Sequence, residues 1–366
     1  MKIGIVTKIG KNYGAILQAY ALKKKLCDLG QDAHIIKYAP KQSRNTYKIC
    51  KYPWRFRGAL ANLKAISRCQ EYREAIRRFY RFRDENYGFI GEFYNDAQIE
   101  ANPPECDVYI TGSDQVWNPV ISFDRAYYCS FAKKYPTAKL AAYAASIGLS
   151  EIPREFAAEF KNRVENFDYV SVREKQAAAI LREMGIEAKL APDPTLLLQR
   201  EEWRQISSKV IDEPYILCYF VSYPHGIEKT VKQVQKKLGL KVVNLMLSEI
   251  SAAVGDIKIR NAGPKEFLGL FENATFVVTS SFHGTVFSII NKKPFVSTLY
   301  KSTSSRVTEL LDNLGLSERI IEPSCKDIAE YCDNEIYTNA VEEKLTELRQ
   351  NGVNVLKEIS GELNAR

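Results

Sequence analysis

The sequence predicts an α/β fold in two halves, each an open parallel sheet, facing one another across a cleft, with a basic helical insertion in the first half. Three observations carry this. Short strand-like apolar runs alternate with stretches of helical periodicity, in two successive series. Pro192 and Pro194, bracketing Asp193, interrupt the alternation between the series, because neither a helix nor a central strand continues through them. The 366 residues also exceed one ordinary domain and suit two of ~150–200 residues each.

The elements follow in order. KIGIVT (2–7) is a strand, a polar loop KIGKNYG follows, and AILQAYALKKKLCDLG has helical spacing and stops at Gly30, a natural C-cap. AHIIKY (33–38) completes a βαβ opening, which calls for a parallel sheet. A basic insertion at about 41–95 is helical over roughly 58–86. Strands resume at DVYITGSD (107–114), KLAAYAASIG (139–148) and YVSVRE (169–174), separated by helical PREFAAEFKNRVENF and followed by helical KQAAAILREMG. The second series runs YILCYFV (215–221), KVVNLML (241–247), TFVVTSS (275–281) and PFVSTLY (294–300), each followed by a helical stretch. This is a Rossmann-like rhythm, and it places the first domain at 1–195 and the second at 196–330. Residues 331–366 read as helical and are expected to pack back on the first domain.

Composition narrows the class. Hydrophobic residues make up 45% and charged residues 26%, as in a globular protein with a real core, and no run approaches the ~20 apolar residues of a membrane span. The N-terminus enters a strand directly, without an apolar leader or cleavage site, so a cytoplasmic protein is expected. The eight cysteines form neither a CxxC pair nor a Cys/His cluster, so reduced thiols and no metal site are expected. Net charge is +8, yet residues 41–87 alone carry thirteen Lys/Arg against four Asp/Glu. Interleaved with Trp, Phe and Tyr, this segment suits an anionic membrane surface or a lipid diphosphate, or else is a solvated helical hairpin. No nucleic-acid motif accompanies it.

In open α/β sheets ligands gather at the carboxyl ends of the strands, so the polar residues there are the candidates. TSSFHGT offers Ser280, Ser281 and Thr285 with the open N–H groups of a helix start, an anion site. Gly284 admits a ligand close to the backbone, and His283 is placed to move a proton near neutral pH. Ser280 or Ser281 acting only as a helix cap is the alternative. In TGSDQVWNP, Asp114 is a base for a sugar hydroxyl, with Gln115, Trp117 and Asn118 as a carbohydrate-facing loop, or the stretch is an Asx turn with a core tryptophan. Arg173 ends a strand in VSVRE and forms a fork for phosphate or carboxylate, or a surface salt bridge with Glu174. Arg306 and Lys301, after PFVSTLY, follow the same logic, and Asn12 with Tyr13 occupy the loop after the first strand. His225 is a weaker candidate and His34, inside a strand, reads as structural. GxGxxG, GxxxxGK[ST] and GxSxG are all absent, which argues against dinucleotide, P-loop and serine-hydrolase chemistry.

NYGAILQAYAL, TGSDQVWNP, YAASIG, SVRE, PDPTLL and TSSFHGTVFSIINKKPF, in this order over residues 1 to about 315, resemble the polysaccharide pyruvyl transferase family. The resemblance implies a GT-B-like fold, with the acceptor on the first domain and the donor on the second. It implies transfer of the carboxyvinyl group of phosphoenolpyruvate to sugar hydroxyls, forming a pyruvate ketal in capsular or exopolysaccharide biosynthesis, without a further cofactor. By the same resemblance His283 is the general acid or donor ligand, Arg173 and Arg306 hold the donor's carboxylate or phosphate, and Asp114 activates the acceptor. Many members carry an arginine two residues before the histidine, in an RxHG arrangement; here that position is Ser281. The donor's charge then falls to the helix start, Arg173, Arg306 or Lys301.

Ketal formation needs an acid for the methylene carbon, a base near the acceptor and cations around the phosphate, and these residues supply each. A nucleotide-sugar glycosyltransferase of the same fold and a non-catalytic glycan-binding protein are the competing readings. The basic segment suits an acceptor on an undecaprenyl diphosphate carrier and peripheral contact with the inner membrane leaflet.

Overall fold

The computed structural model describes residues 1–40, 59–246, 254–299, 304–325, 328–333 and 335–361. They form two compact units. The first holds residues 1–40, 83–198 and 346–361; the second holds 59–82 and the described residues of 199–345.

The first unit is built on seven strands, β1 (Lys2–Val6), β2 (Asp32–Tyr38), β3 (Ile90–Phe93), β4 (Val108–Thr111), β5 (Lys139–Ala145), β6 (Tyr169–Val172) and β7 (Lys189–Leu190). Their order is β3-β2-β1-β4-β5-β6-β7, every pairing parallel. β1 and β4 sit at the centre and are buried almost end to end, which is why both read as continuous apolar runs rather than alternating ones. The core on one side gathers around Trp117, which stacks on Tyr128 and meets Phe160 and Phe167 edge-on. The helix Asn339–Ile359 belongs to this unit from Thr346 onward: Glu358 accepts a bond from Tyr169 Oη at 2.7 Å and pairs with Lys189.

The second unit has five parallel strands, β8 (Tyr215–Tyr219), β9 (Lys241–Leu245), β10 (Ile257–Ile259), β11 (Phe276–Thr279) and β12 (Phe295–Ser297), in the order β10-β9-β8-β11-β12. β8 and β11 are its buried centre. Both units are thus doubly wound α/β sheets, and each aligns all its strand carboxyl ends along one edge.

Three features depart from expectation. The short strands β3, β7 and β10 carry too few residues to show a period in the sequence. The helix Ala59–Asn86 occupies the basic insertion, but its residues up to Phe82 group with the second unit, not the first. Arg78 pairs with Glu266 at 3.1 Å and Glu71 with Arg260 at 3.7 Å, so two charges of this helix have partners far along the chain, while Glu74 pairs with Arg77 and Arg78 within the helix. Finally, six cysteines are free thiols but Cys69 is disulfide-bonded, a pairing that spacing along the chain does not reveal. Residues 41–58, the most basic part of the insertion, lie outside the described residues. No described helix is long and apolar enough to cross a membrane.

Candidate active site

At the strand-end edge of the first unit, β4 runs into Gly112-Ser113-Asp114. Thr7, just past β1, donates to the Ser113 carbonyl at 2.8 Å and is itself held by Gln18 Nε2 at 3.0 Å. Asp114 follows in the left-handed region, φ 76°, a conformation an aspartate tolerates better than most side chains and one that recurs at functional turns. Its carbonyl accepts from Val116 N and Ser146 N, at 2.7 and 3.0 Å, so the turn is pinned to the end of β5. Carboxylate Oδ1 accepts from Gln115 N at 2.8 Å, while Oδ2 makes no hydrogen bond among the described residues. Asp114 is half-buried, which leaves that oxygen available to a hydroxyl.

Beside it lies a buried ionic cluster. Arg173, past β6, donates from Nε to Glu174 Oε1 at 3.0 Å and from Nη1 to Asp193 Oδ2 at 2.5 Å, with Ser113 Oγ at the 3.5 Å limit. Ser146 donates to the same Glu174 oxygen at 2.7 Å, and Thr195 donates to Asp193 through both its N–H and its hydroxyl. The Arg173 side chain is 4% exposed. Burial opposes its charge, but Glu174 and then Asp193 outweigh that and hold it firmly protonated. Both alternatives weighed for Arg173 involved ion pairing; the pair it makes is buried and has two carboxylates.

On the acceptor side, Trp117, Tyr13 and Asn118 are corrected because they are buried, whereas Asn12 stays exposed and Gln115 half-buried. Trp117 is fully buried, and its Nε1–H donates to the Tyr127 carbonyl at 3.2 Å, so it is the centre of a core rather than a sugar platform. Tyr13 is 1% exposed on the inner face of the helix Tyr13–Asp28. Asn118 is buried and its Oδ1 accepts from Val120 N and Ile121 N, forming the turn that was its alternative reading. Asn12 is the N-cap of that first helix, accepting from Gly14 N at 2.9 Å. Gln115 stays half-buried, its amide lying where a Cβ on Gly148 would be.

In the second unit, β11 ends at Thr279 and the helix Phe282–Ile290 begins within three residues. Ser281 caps it, accepting from Gly284 N at 3.3 Å. Thr279 Oγ1 donates to the Tyr219 carbonyl at 2.7 Å and accepts from Ser281 N at 3.1 Å, binding the end of β8 to the helix start. Ser280 donates to the Ser222 carbonyl, and Thr285 is shared between the Ser281 carbonyl and Ser297 Oγ. The hydroxyls of Ser280 and Thr285 are therefore engaged within the fold. Gly284 is required by packing: a Cβ there would overlap Thr279 Oγ1. His283, in the first turn, is 9% exposed and sits edge-on to Phe282, ring centroids 5.1 Å apart. The Arg306 guanidinium lies 5.8 Å from the same Phe282 ring, so Phe282 brings His283 and Arg306 into one neighbourhood. Lys301 lies outside the described residues. His34, by contrast, contacts the Gly88 carbonyl and Asp32 and ties β2 to the chain before β3, a structural role. His225 packs edge-on to Tyr223 in the loop after β8.

The sequence model of the polysaccharide pyruvyl transferases matches residues 12–302, a span that includes Asp114, Arg173 and His283 and ends just before Arg306. The chain belongs to the polysaccharide pyruvyl transferase family. It is accordingly a transferase, and its family's acceptors are polysaccharides. No curated relative matches the chain. Among solved structures it resembles the UDP-GlcNAc 2-epimerase of Methanocaldococcus jannaschii, with 16% identity over 98% of this chain and 99% of that one, TM-score 0.52. It resembles Arabidopsis thaliana UGT89C1, a structure complexed with quercetin, with 10% identity over 99% of each chain, TM-score 0.52. The S. aureus MnaA structure with UDP is a third, at 13% identity over 100% of this chain and 97% of that one, TM-score 0.52. At such identities these likenesses speak to the fold alone, which is that of GT-B glycosyltransferases and epimerases.

Sequence reasoning missed three residues in the first unit. Asp193 and Ser146 lay within the resembling motifs PDPTLL and YAASIG without a role of their own, and Lys8 within the first polar loop. Lys8 is half-buried and donates to the Gln115 carbonyl at 2.5 Å. Burial lowers its affinity for a proton below the usual lysine range, opposed by the charges of Asp114 and Asp124. Its position two residues beyond β1 was the available signal.

Proposed function

We propose that this protein transfers the carboxyvinyl group of phosphoenolpyruvate to sugar hydroxyls of a glycan and closes a pyruvate ketal, in the biosynthesis of a capsular or exported polysaccharide. The observation that carries the reading is Asp114: a carboxylate fixed by a left-handed turn at a strand end, with one oxygen unclaimed, in a chain of this family. Asp114 takes the proton of the attacking hydroxyl. His283 delivers a proton to the methylene carbon of the enol phosphate, which generates the oxocarbenium-like centre that the hydroxyl attacks. Phosphate then leaves with its electron pair, and a second hydroxyl closes the ring, its proton passing to the departing phosphate. Arg306 and the open end of the helix Phe282–Ile290 meet the donor's negative charge. No further cofactor takes part.

Arg173 serves this chemistry by setting the Ser113–Asp114 turn, since its guanidinium is already matched by two carboxylates. The acceptor is carried on a polyprenyl diphosphate, and the basic segment 41–87 holds the protein against an anionic membrane face. The test incubates the purified protein with phosphoenolpyruvate and candidate glycans, free and lipid-linked. Phosphate release matched by a mass gain of one pyruvate less one water supports the reading. A transfer observed only from a UDP- or GDP-sugar would sink it.

A further inference from the structure

Resting on the assignment of Asp114 to the acceptor, we infer that Lys8 is a positioning residue for that carboxylate, acting as a cationic strut that fixes the Gln115–Val116 peptide, just past Asp114 in the same turn, and sets the charge beside it.

The geometry is specific. Lys8 lies just past the carboxyl end of β1, an inner strand, and its ammonium reaches across to the turn after the neighbouring strand β4. It donates to the Gln115 carbonyl, in the residue that follows Asp114, at 2.5 Å, the one hydrogen bond Lys8 makes among the described residues. The same turn is held on its other side by the Ser146 N–H on the Asp114 carbonyl and by Thr7 on the Ser113 carbonyl. Three consecutive carbonyls, of Ser113, Asp114 and Gln115, are therefore each anchored from outside the turn. Only the last anchor carries a charge. An aspartate in the left-handed region is costly to keep there, and such strain persists where the surroundings over-determine it.

The electrostatic surroundings agree. The groups acting on Lys8 are the carboxylates of Asp114 and Asp124, both of which favour its charged form against the burial that disfavours it. Arg173 also feels Asp114 across the turn. The charge of Asp114 thus acts on two cations of different kinds. Arg173 is already held by Glu174 and Asp193, whereas Lys8 has no carboxylate within hydrogen-bond reach among the described residues.

Because folding makes it harder to charge Lys8, its charge costs the fold free energy at low pH. That cost is relieved as pH rises through the folded value toward the ordinary 10.5. The same deprotonation removes the strut. Stability contributed by Lys8 and activity therefore change in opposite directions over one pH window below 10.5, which a merely structural lysine would not produce.

Two readouts test this. The first needs no assumed reaction: the Lys8 amine is titrated by pH-dependent amine labelling and peptide mass spectrometry in wild type and D114N. We expect Lys8 to titrate below an ordinary lysine, and lower still in D114N, where a supporting negative charge is gone. A Lys8 titration indifferent to D114N overturns the inference. The second compares pyruvyl transfer in wild type, K8M and K8R. K8M should lose about 10–100-fold in kcat with little change in KM for phosphoenolpyruvate, and K8R should keep more activity and lose the alkaline limb of the pH profile. K8M turning over like wild type, or K8R retaining that limb, overturns it. A wild type that responds as expected in the titration but transfers no pyruvyl group instead defeats the reaction proposed above, since the Lys8–Asp114 coupling has then been measured independently.

Discussion

Arg173 Nη1 lies 2.5 Å from Asp193 Oδ2, which joins the end of β6 to the segment that closes the first unit before the second begins. The sequence offered Arg173 either a ligand's anion or a salt bridge with Glu174, and the structure shows it paired with Glu174 and Asp193 in a buried ionic cluster.

That cluster holds one guanidinium and two carboxylates, so its members are unequal. R173M strands two buried charges and should destabilise the protein by about 3–5 kcal/mol. D193N leaves Glu174 to balance the arginine and keeps an oxygen for the Thr195 N–H, so its loss should be clearly smaller. Urea unfolding monitored by tryptophan fluorescence ranks the two, and the reverse order would refute the charge argument.

Trp117 separates a core role from a binding role. W117A should cost about 3–5 kcal/mol in stability, the usual range for an emptied aromatic site. Whatever folded enzyme remains should show an unchanged KM for the glycan, because the indole is buried among core aromatics.

Gly284 and Thr279 form a tight strand–helix contact. G284A should destabilise by about 1–3 kcal/mol through overpacking. T279A frees the space but loses a hydroxyl bridging Tyr219 and Ser281, so it is destabilising alone. The double variant should be less damaged than the sum of the singles, and a double-mutant cycle by chemical denaturation measures the difference.

His283 and Ser281 should part company in kinetics. H283Q is expected to lower kcat for pyruvyl transfer by about 100-fold or more while leaving the melting temperature close to wild type. S281A removes the helix cap and should cost about 1 kcal/mol of stability with a much smaller kinetic effect. Calorimetry alongside phosphate-release assays distinguishes them.

The parallel, twice-wound architecture was legible because the central strands β1, β4, β8 and β11 are buried on both faces and so stand out as apolar runs. The edge strands β3, β7 and β10 were not, since two to four residues carry no period. The candidate residues at strand ends were legible by position, but position along the chain does not tell a side chain's direction. Trp117 and Asp114 are three residues apart in one motif, yet one enters the core and the other stays half-buried at the sheet edge. The role of Asp193 was hidden for a related reason. Prolines dominate the local pattern around it, whereas its partner Arg173 is brought near only by the closing of β7 on β6. Lys8 escaped notice because an ammonium near the end of a strand looks in sequence like any solvated lysine.

The left-handed backbone at Asp114 also governs how this position can drift. A β-branched or bulky replacement would have to unwind a turn whose neighbouring carbonyls are each tied elsewhere, while asparagine and glycine enter without backbone protest. A silent descendant of this enzyme, one that keeps its shape and abandons its chemistry, would therefore be marked by Asn or Gly at 114, and a single nucleotide change suffices for either.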